Sequence, residues 1–258
     1  MQSNRSLRNK TIGVLVGLTT LGVSVWGQID WNGSSRLFRV VQVETIAYHQ
    51  LEIGGFAEIA DELQDYYVYA NFGLIEKFEV GVTQKWLGDD SKVKPQGGDR
   101  QSIGNTLFHF KAHFSDETPN IPGFAMGMTV IVPSGEEEEY NDLGLTALLV
   151  SEKHLGNLAI YGNLAYTDHN IDSVGYHVGL SYEFNQIFTL VEEINGLHTG
   201  KERPEGEDNA ENNTLYVTMG GLVRPVERLL LRLAVGAKLL EEDRNAFRCS
   251  ASISWRFF

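Results

Sequence analysis

Three nitrogen-bearing side chains recur at every second position in one short segment: His109, Lys111 and His113. In an extended chain alternate residues share a face, so all three project together. Two imidazoles so placed can contribute to a metal site, or with the lysine to an anion site. The lysine between them disfavours a cation, and spacing supplies no third ligand, so the pattern reads as polar lining and no metal or other cofactor is expected. His177, Ser181 and Glu183 also share one parity and are the residue types of a hydrolytic set. No hydrolase motif surrounds them, and such spacing arises by chance on any polar face, so no enzymatic activity is expected. Acidic residues gather at Asp89-Asp90, at Glu136 to Glu139 and at Glu202, Glu205, Glu207 and Asp208. They read as a solvated, aggregation-resistant rim, or as a place where divalent cations bridge to lipopolysaccharide phosphates.

The elements that carry these residues are strands. From Leu51 onward, segments of about 9–12 residues alternate apolar and polar and are separated by turn residues, as in a membrane barrel. In Ser173–Phe184 the apolar set is Val174, Tyr176, Val178, Leu180, Tyr182 and Phe184, opposed by Ser173, Gly175, His177, Gly179, Ser181 and Glu183. Asn105–Phe114, Phe78–Trp86, Leu229–Leu240 and Phe247–Phe257 alternate as clearly. Leu51–Ile59, Asp65–Leu74, Gly123–Val132, Leu143–Val150, Asn157–Tyr166, Ile187–Leu197 and Thr214–Arg224 do so less regularly. About twelve strands result, an even number, as single-chain bacterial barrels require. Ile187–Leu197 contains Glu192 beside Glu193, so one of the two faces lipid, lies near a rim or sits at a bulge. Short connections (Glu76-Lys77, His154 to Gly156, Asn185, Pro225 to Arg228) alternate with long polar ones (Gly88 to Gly104, Thr199 to Asn213). Tight turns on one end and long loops on the other are the periplasmic and external ends of an outer-membrane barrel.

Two features direct the apolar stripe towards lipid. The opposite face is rich in Gly, Ser, Thr and Ala with sparse charge. The stripes end in Trp86, Tyr166, Tyr182, Phe184, Trp255 and Phe257, which supply interfacial girdles. In hydrocarbon every backbone polar group needs a partner, which closure of the sheet provides. The fold expected is therefore all-β, one antiparallel transmembrane barrel over residues 51–258, in the outer membrane of a Gram-negative bacterium. Residues 28–50 read as a periplasmic N-terminal segment. Residues 1–27 read as a signal peptide, with Arg5, Arg8 and Lys10 before the uncharged run Ile12–Trp26 and with Val25 and Gly27 preceding a cut at Gln28.

The single Cys249 forms no internal disulfide, which a domain held by a closed ladder tolerates after export. The chain carries a net charge of −13; without Arg5, Arg8 and Lys10, 18 basic residues stand against 34 acidic ones, near −16, which argues against nucleic acid as a partner. The expected partners are outer-membrane lipid and lipopolysaccharide, a small solute, and the barrel-assembly machinery. The last is implied by the strand ending Trp255-Arg256-Phe257-Phe258, which resembles the outer-membrane assembly signal with Phe258 out of phase.

Alternation places Lys111, Arg232, Lys238 and Arg248 on the lumen face, with Glu79, Glu183, His109 and His177, as candidate pore-lining residues. Gly81, Gly127, Gly175, Gly179, Gly220 and Gly236 on that face leave space and favour a channel. The alternative is a closed structural or adhesive barrel, because twelve strands fall between the filled barrels of eight and the water-filled ones of sixteen.

Several stretches resemble the outer-membrane transporter family named for the MetA-pathway of phenol degradation. They are Thr45-Ile46-Ala47 leading into Leu51-Glu52-Ile53-Gly54-Gly55, the run Phe72 to Val82, the strand ending Val132-Pro133-Ser134-Gly135, and Leu190-Val191-Glu192-Glu193-Ile194. The resemblance implies a barrel of about twelve strands that passes small solutes, aromatic or apolar ones among them, and it carries over no catalytic residue.

Overall fold

The computed structural model describes residues 37–60, 63–87, 102–134, 143–168, 172–199, 212–240 and 247–258. Within them the chain forms twelve strands: β1 (Leu51–Ala60), β2 (Leu63–Ile75), β3 (Phe78–Leu87), β4 (Ser102–Ser115), β5 (Gly123–Val132), β6 (Gly144–Leu155), β7 (Leu158–Asp168), β8 (Ser173–Glu183), β9 (Phe188–Thr199), β10 (Asn212–Val226), β11 (Leu229–Leu240) and β12 (Phe247–Phe257). Each pairs antiparallel with its neighbours in sequence, and β1 pairs with β12 from Leu51↔Phe257 to Ala60↔Arg248, closing the barrel. Closure leaves no strand edge, the condition for exposing a sheet to hydrocarbon. Among the described residues no helix is long and apolar enough to cross a membrane.

The alternation read from the sequence matches the two faces. Phe108, Val178, Leu233, Val235 and Ile253 are exposed on the outside, while His109, His177, Arg232, Ala234 and Ser254 are buried inside. Tyr166 is exposed near one end of the wall and Tyr182, Phe184, Trp255 and Phe257 near the other. Phe258 lies past the end of β12 with φ 73°, out of the ladder. The paired acids separate without a bulge. Glu193 is fully buried inside, and Glu192 lies on the outer face opposite Leu180 and Met219.

The connections 76–77, 116–122, 156–157, 184–187 and 227–228 all fall at one end. Gly156 takes φ 68° and Lys77 φ 61° there, the left-handed conformation that such tight turns require. The opposite connections, including the long loops expected at 88–104 and 199–213 and the acidic run 136–139, lie wholly or mostly outside the described residues, as does the expected signal peptide at 1–27.

One part of the chain departs from the expected layout. Within the segment 28–50 that reads as periplasmic, residues 37–46 lie inside the barrel. Leu37, Phe38, Val40, Val41, Val43 and Ile46 are each at most 4% exposed. Residues 37–40 bend, with Leu37 N donating to Val40 O at 2.8 Å, and the segment buries against two walls. Leu37, Phe38 and Val40 pack with Ala159, Tyr161, Val191, Leu222, Leu230 and Ala234. Val41 and Val43 pack with Ala125, Leu148, Val150 and Ala165. Apolar side chains at these positions explain why a polar lumen also contains apolar patches. They also take up the space that two of the lumen glycines, Gly179 and Gly220, were expected to leave open. A Cβ on Gly220 would stand 2.4 Å from the Phe38 ring, and one on Gly179 3.0 Å from Val40.

Candidate functional site

The functional site is the lumen and the segment that fills it. A segment outside the sheet offers N–H and C=O groups that cost free energy when buried without partners. Inward side chains on five strands, β3, β4, β6, β7 and β9, supply partners. At the short-turn end, Ile46 N donates to Glu79 on β3 at 2.7 Å, and Val43 N donates to Glu152 on β6 at 2.7 Å. Lys111 on β4 donates to the carbonyls of Gln42 (3.1 Å) and Glu44 (2.5 Å). Halfway up, the Asn163 amide on β7 accepts from Val41 N at 2.6 Å and donates to Val41 O at 2.9 Å, as a neighbouring strand would. Further in, Glu193 on β9 accepts from Phe38 N and Arg39 N at 2.9 Å each and from Val40 N at 3.1 Å. Arg39 then pairs with Glu58 on β1, near the long-loop end.

Three of the eight residues expected to line a pore, Lys111, Glu79 and Arg248, take part in this arrangement. Lys111 Nζ stands 3.4 Å from Glu79 Oε1, both side chains being almost wholly buried. Paired burial of this kind compensates desolvation, and removing one partner strands the other. Arg248 on β12 shares Glu58 with Arg39, at 2.6 Å, and donates to the Tyr216 hydroxyl at 2.8 Å. Arg232 on β11 donates to Ser252 at 3.2 Å and reaches the Tyr69 hydroxyl at 3.5 Å; Tyr69 in turn reaches Glu52, which holds Arg256 at 2.8 Å. Lys238 is half-buried on the inner face. Of the basic wall expected along β11 and β12, Arg248 is paired with Glu58 on β1, and Arg256 further along β12 is paired with Glu52.

His109 is gripped between Thr83 (2.9 Å) and Thr129 (3.0 Å) on the adjacent strands, a structural role for a buried ring. His113 turns to Asp116 at 3.3 Å, so the two histidines do not converge. His177 bonds to Asn195, and Ser181 to the Tyr161 hydroxyl at 3.0 Å, so Ser181 is engaged away from His177. Among the described residues no group of three metal-ligating side chains comes together.

Glu183 lies apart from the other expected lining residues. It is exposed and faces a recess of about 550 Å³ at the short-turn end. Gln42, Glu44, Thr45 and Ile46 of the inner segment line it from within, and Gln186, Ile187 and the stretch Pro225-Val226-Glu227 stand at its rim. Glu152, His154, Arg224 and Arg256 also face it. Beside it a surface network braces the β4–β5 loop: Glu117 takes Lys153 at 2.8 Å and His154 Nδ1 at 2.8 Å. Hydrogen bonds from Lys153 and then His154 hold the Glu117 carboxyl down at about 2.

The sequence reading did not place Asn163, Glu152, Glu193, Arg224 or residues 37–46 in the site. Signals for some of them were present. Leu37-Phe38, Val40-Val41, Val43 and Ile46 form an apolar cluster before the first strand, and Glu193 is an acid at an inward parity.

Solved structures to which the chain is similar have the same fold. The COG4313 outer membrane channel from Pseudomonas putida F1 superposes with a TM-score of 0.67 at 10% identity, over 88% of this chain and 100% of that one. The KdgM porin in complex with disordered oligogalacturonate gives 0.58 at 10% identity, over 80% and 99%. The NanC porin gives 0.54 at 9% identity, over 81% and 98%. No protein-family model and no curated protein matches the chain. The fold is that of outer-membrane channels and porins.

Proposed function

We propose that this chain is an outer-membrane channel for small solutes, closed by its own segment 37–46. The observation that carries the reading is the closed twelve-strand wall, apolar outside and polar within, around a segment that side chains of the wall hold by hydrogen bonds. Side-chain bonds can be released one at a time while the wall stays intact. The resemblance to the phenol-pathway transporter family supports small aromatic or apolar solutes as cargo. The apolar patch formed by Ala159, Tyr161, Val191, Leu222 and Leu230, uncovered when Phe38 leaves, is compatible with such cargo.

The burial of residues 37–41, Val43 and Ile46 also favours a second reading, a permanently closed structural barrel. Planar-bilayer conductance separates the two. The full-length protein is expected to conduct weakly, and a variant lacking residues 37–46 to show large, stable unit steps. If the deletion variant folds, by its heat-modifiable electrophoretic migration, and still does not conduct, the barrel is closed by its wall and the channel reading fails.

Orientation follows from the sorting of the loops. In a Cys249→Ser background, a cysteine at position 205 should react with an impermeant thiol reagent on intact cells, and one at position 76 should not. Labelling at 76 alone would invert the barrel.

A further inference from the structure

The recess at the short-turn end holds charges that the rest of the lumen does not use. Elsewhere inward charges are committed: Lys111 to Glu79 and two carbonyls, Arg39 and Arg248 to Glu58, Arg256 to Glu52, Glu193 to three amides, and Glu152 to Val43 N and His154. Among the described residues, the guanidinium of Arg224 has neither a hydrogen bond nor an ion pair, and the carboxylates of Glu44 and Glu183 have none either. All three face the same recess, and Arg224 lies within electrostatic reach of both acids as well as of Arg256 and Arg232. Opposite charges therefore look into one space of about 550 Å³ without closing on each other.

We propose that this recess binds a small amino-acid-like solute, with its carboxylate on Arg224 and its cationic groups between Glu44 and Glu183. A guanidinium fork matches a carboxylate with two parallel hydrogen bonds. Arg224, Arg256 and His154 stand against Glu44, Glu152, Glu183 and Glu227 in the lining, so acid is in slight excess and a simple anion is disfavoured. The same excess favours a solute with a second positive group, which makes basic amino acids the preferred members of the class. The volume lies within the range of small-molecule sites. The inference rests on the channel reading for its purpose, since the recess would then be the last stop of a solute leaving the lumen. Binding itself does not require conduction.

Calorimetric titration of the full-length protein in detergent, at low ionic strength, tests the site. The probes are lysine, cadaverine (lysine without its carboxylate) and acetate. Lysine is expected to bind about tenfold or more tightly than either of the others. Arg224→Gln should abolish the advantage over cadaverine while Arg224→Lys keeps part of it. Glu44→Gln with Glu183→Gln should weaken lysine by about tenfold or more. Heat-modifiable migration reports the fold of each variant, and the three wild-type titrations need no variant at all. Lysine binding no tighter than cadaverine in the wild type, or unchanged by Arg224→Gln, overturns the site. A protein that conducts but does not make this distinction loses the site and keeps the channel. One that binds lysine but never conducts, with or without residues 37–46, keeps the site and loses the channel.

Discussion

Glu193→Leu is expected to raise the conductance of the barrel several-fold, whereas Glu192→Leu leaves it unchanged. Six buried apolar side chains, Leu37, Phe38, Val40, Val41, Val43 and Ile46, hold the inner segment. At about 1.5–3 kcal/mol each they contribute roughly 9–18 kcal/mol. Ordering the backbone of residues 37–46 costs about 1–2 kcal/mol per residue, or roughly 10–20 kcal/mol. The two nearly cancel, so the side-chain clasps decide whether the segment stays. Glu193 alone satisfies the amides of Phe38, Arg39 and Val40. Leucine would leave three buried N–H groups without partners, at about 1–3 kcal/mol apiece. That is enough to turn a seated segment into a mostly displaced one. Glu192, on the outer face of the same strand, touches nothing inside and serves as the control. Single-channel recording with protease digestion of the amino-terminal segment reads both variants. A Glu193→Leu protein with wild-type conductance and an undigested segment would mean that apolar packing suffices.

Leu233→Arg is expected to cost about 2–4 kcal/mol in a folding titration into lipid, the penalty for arginine near the bilayer midplane. Leu233 is 65% exposed and lies well inside β11, between the outward Leu231 and Val235. Leu233→Phe should be nearly neutral, because fluid lipid accommodates a larger side chain where a packed interior would not. The neighbouring Ala234, which alternation alone marks as tolerant of serine, is not a fair control. It is 7% exposed against the cluster that seats Phe38, and a hydroxyl there would be buried among apolar atoms. Equal cost for arginine and phenylalanine at 233 would place that position against protein and sink the inside–outside assignment of the strand.

The wall of this protein was legible in its sequence. Period-2 alternation assigns each side chain to a face with no knowledge of its neighbours, because a pleated strand points successive residues to opposite sides. The parity of Lys111, Arg232 or Val178 could therefore be read directly, and so could the strand count and the sorting of short and long turns. What tertiary structure alone decided is how the inner face is used. Parity places Glu79, Glu193, Asn163 and Lys111 in the lumen but does not say what they meet there, since their partners are backbone groups of a segment up to 155 residues away. The segment itself is short and lacks long periodicity, so it reads as a linker. Only the closed barrel turns its scattered apolar side chains and bare amides into complements of the wall. The same closure brings Arg248 and Arg256 on β12 to Glu58 and Glu52 on β1, pairing charges that look uncompensated along the chain. It leaves Arg224, Glu44 and Glu183 as the charges turned to the recess without a bond to one another. Local sequence specifies direction and spacing, whereas partnership between residues far apart in the chain exists only once the sheet has met its own first strand.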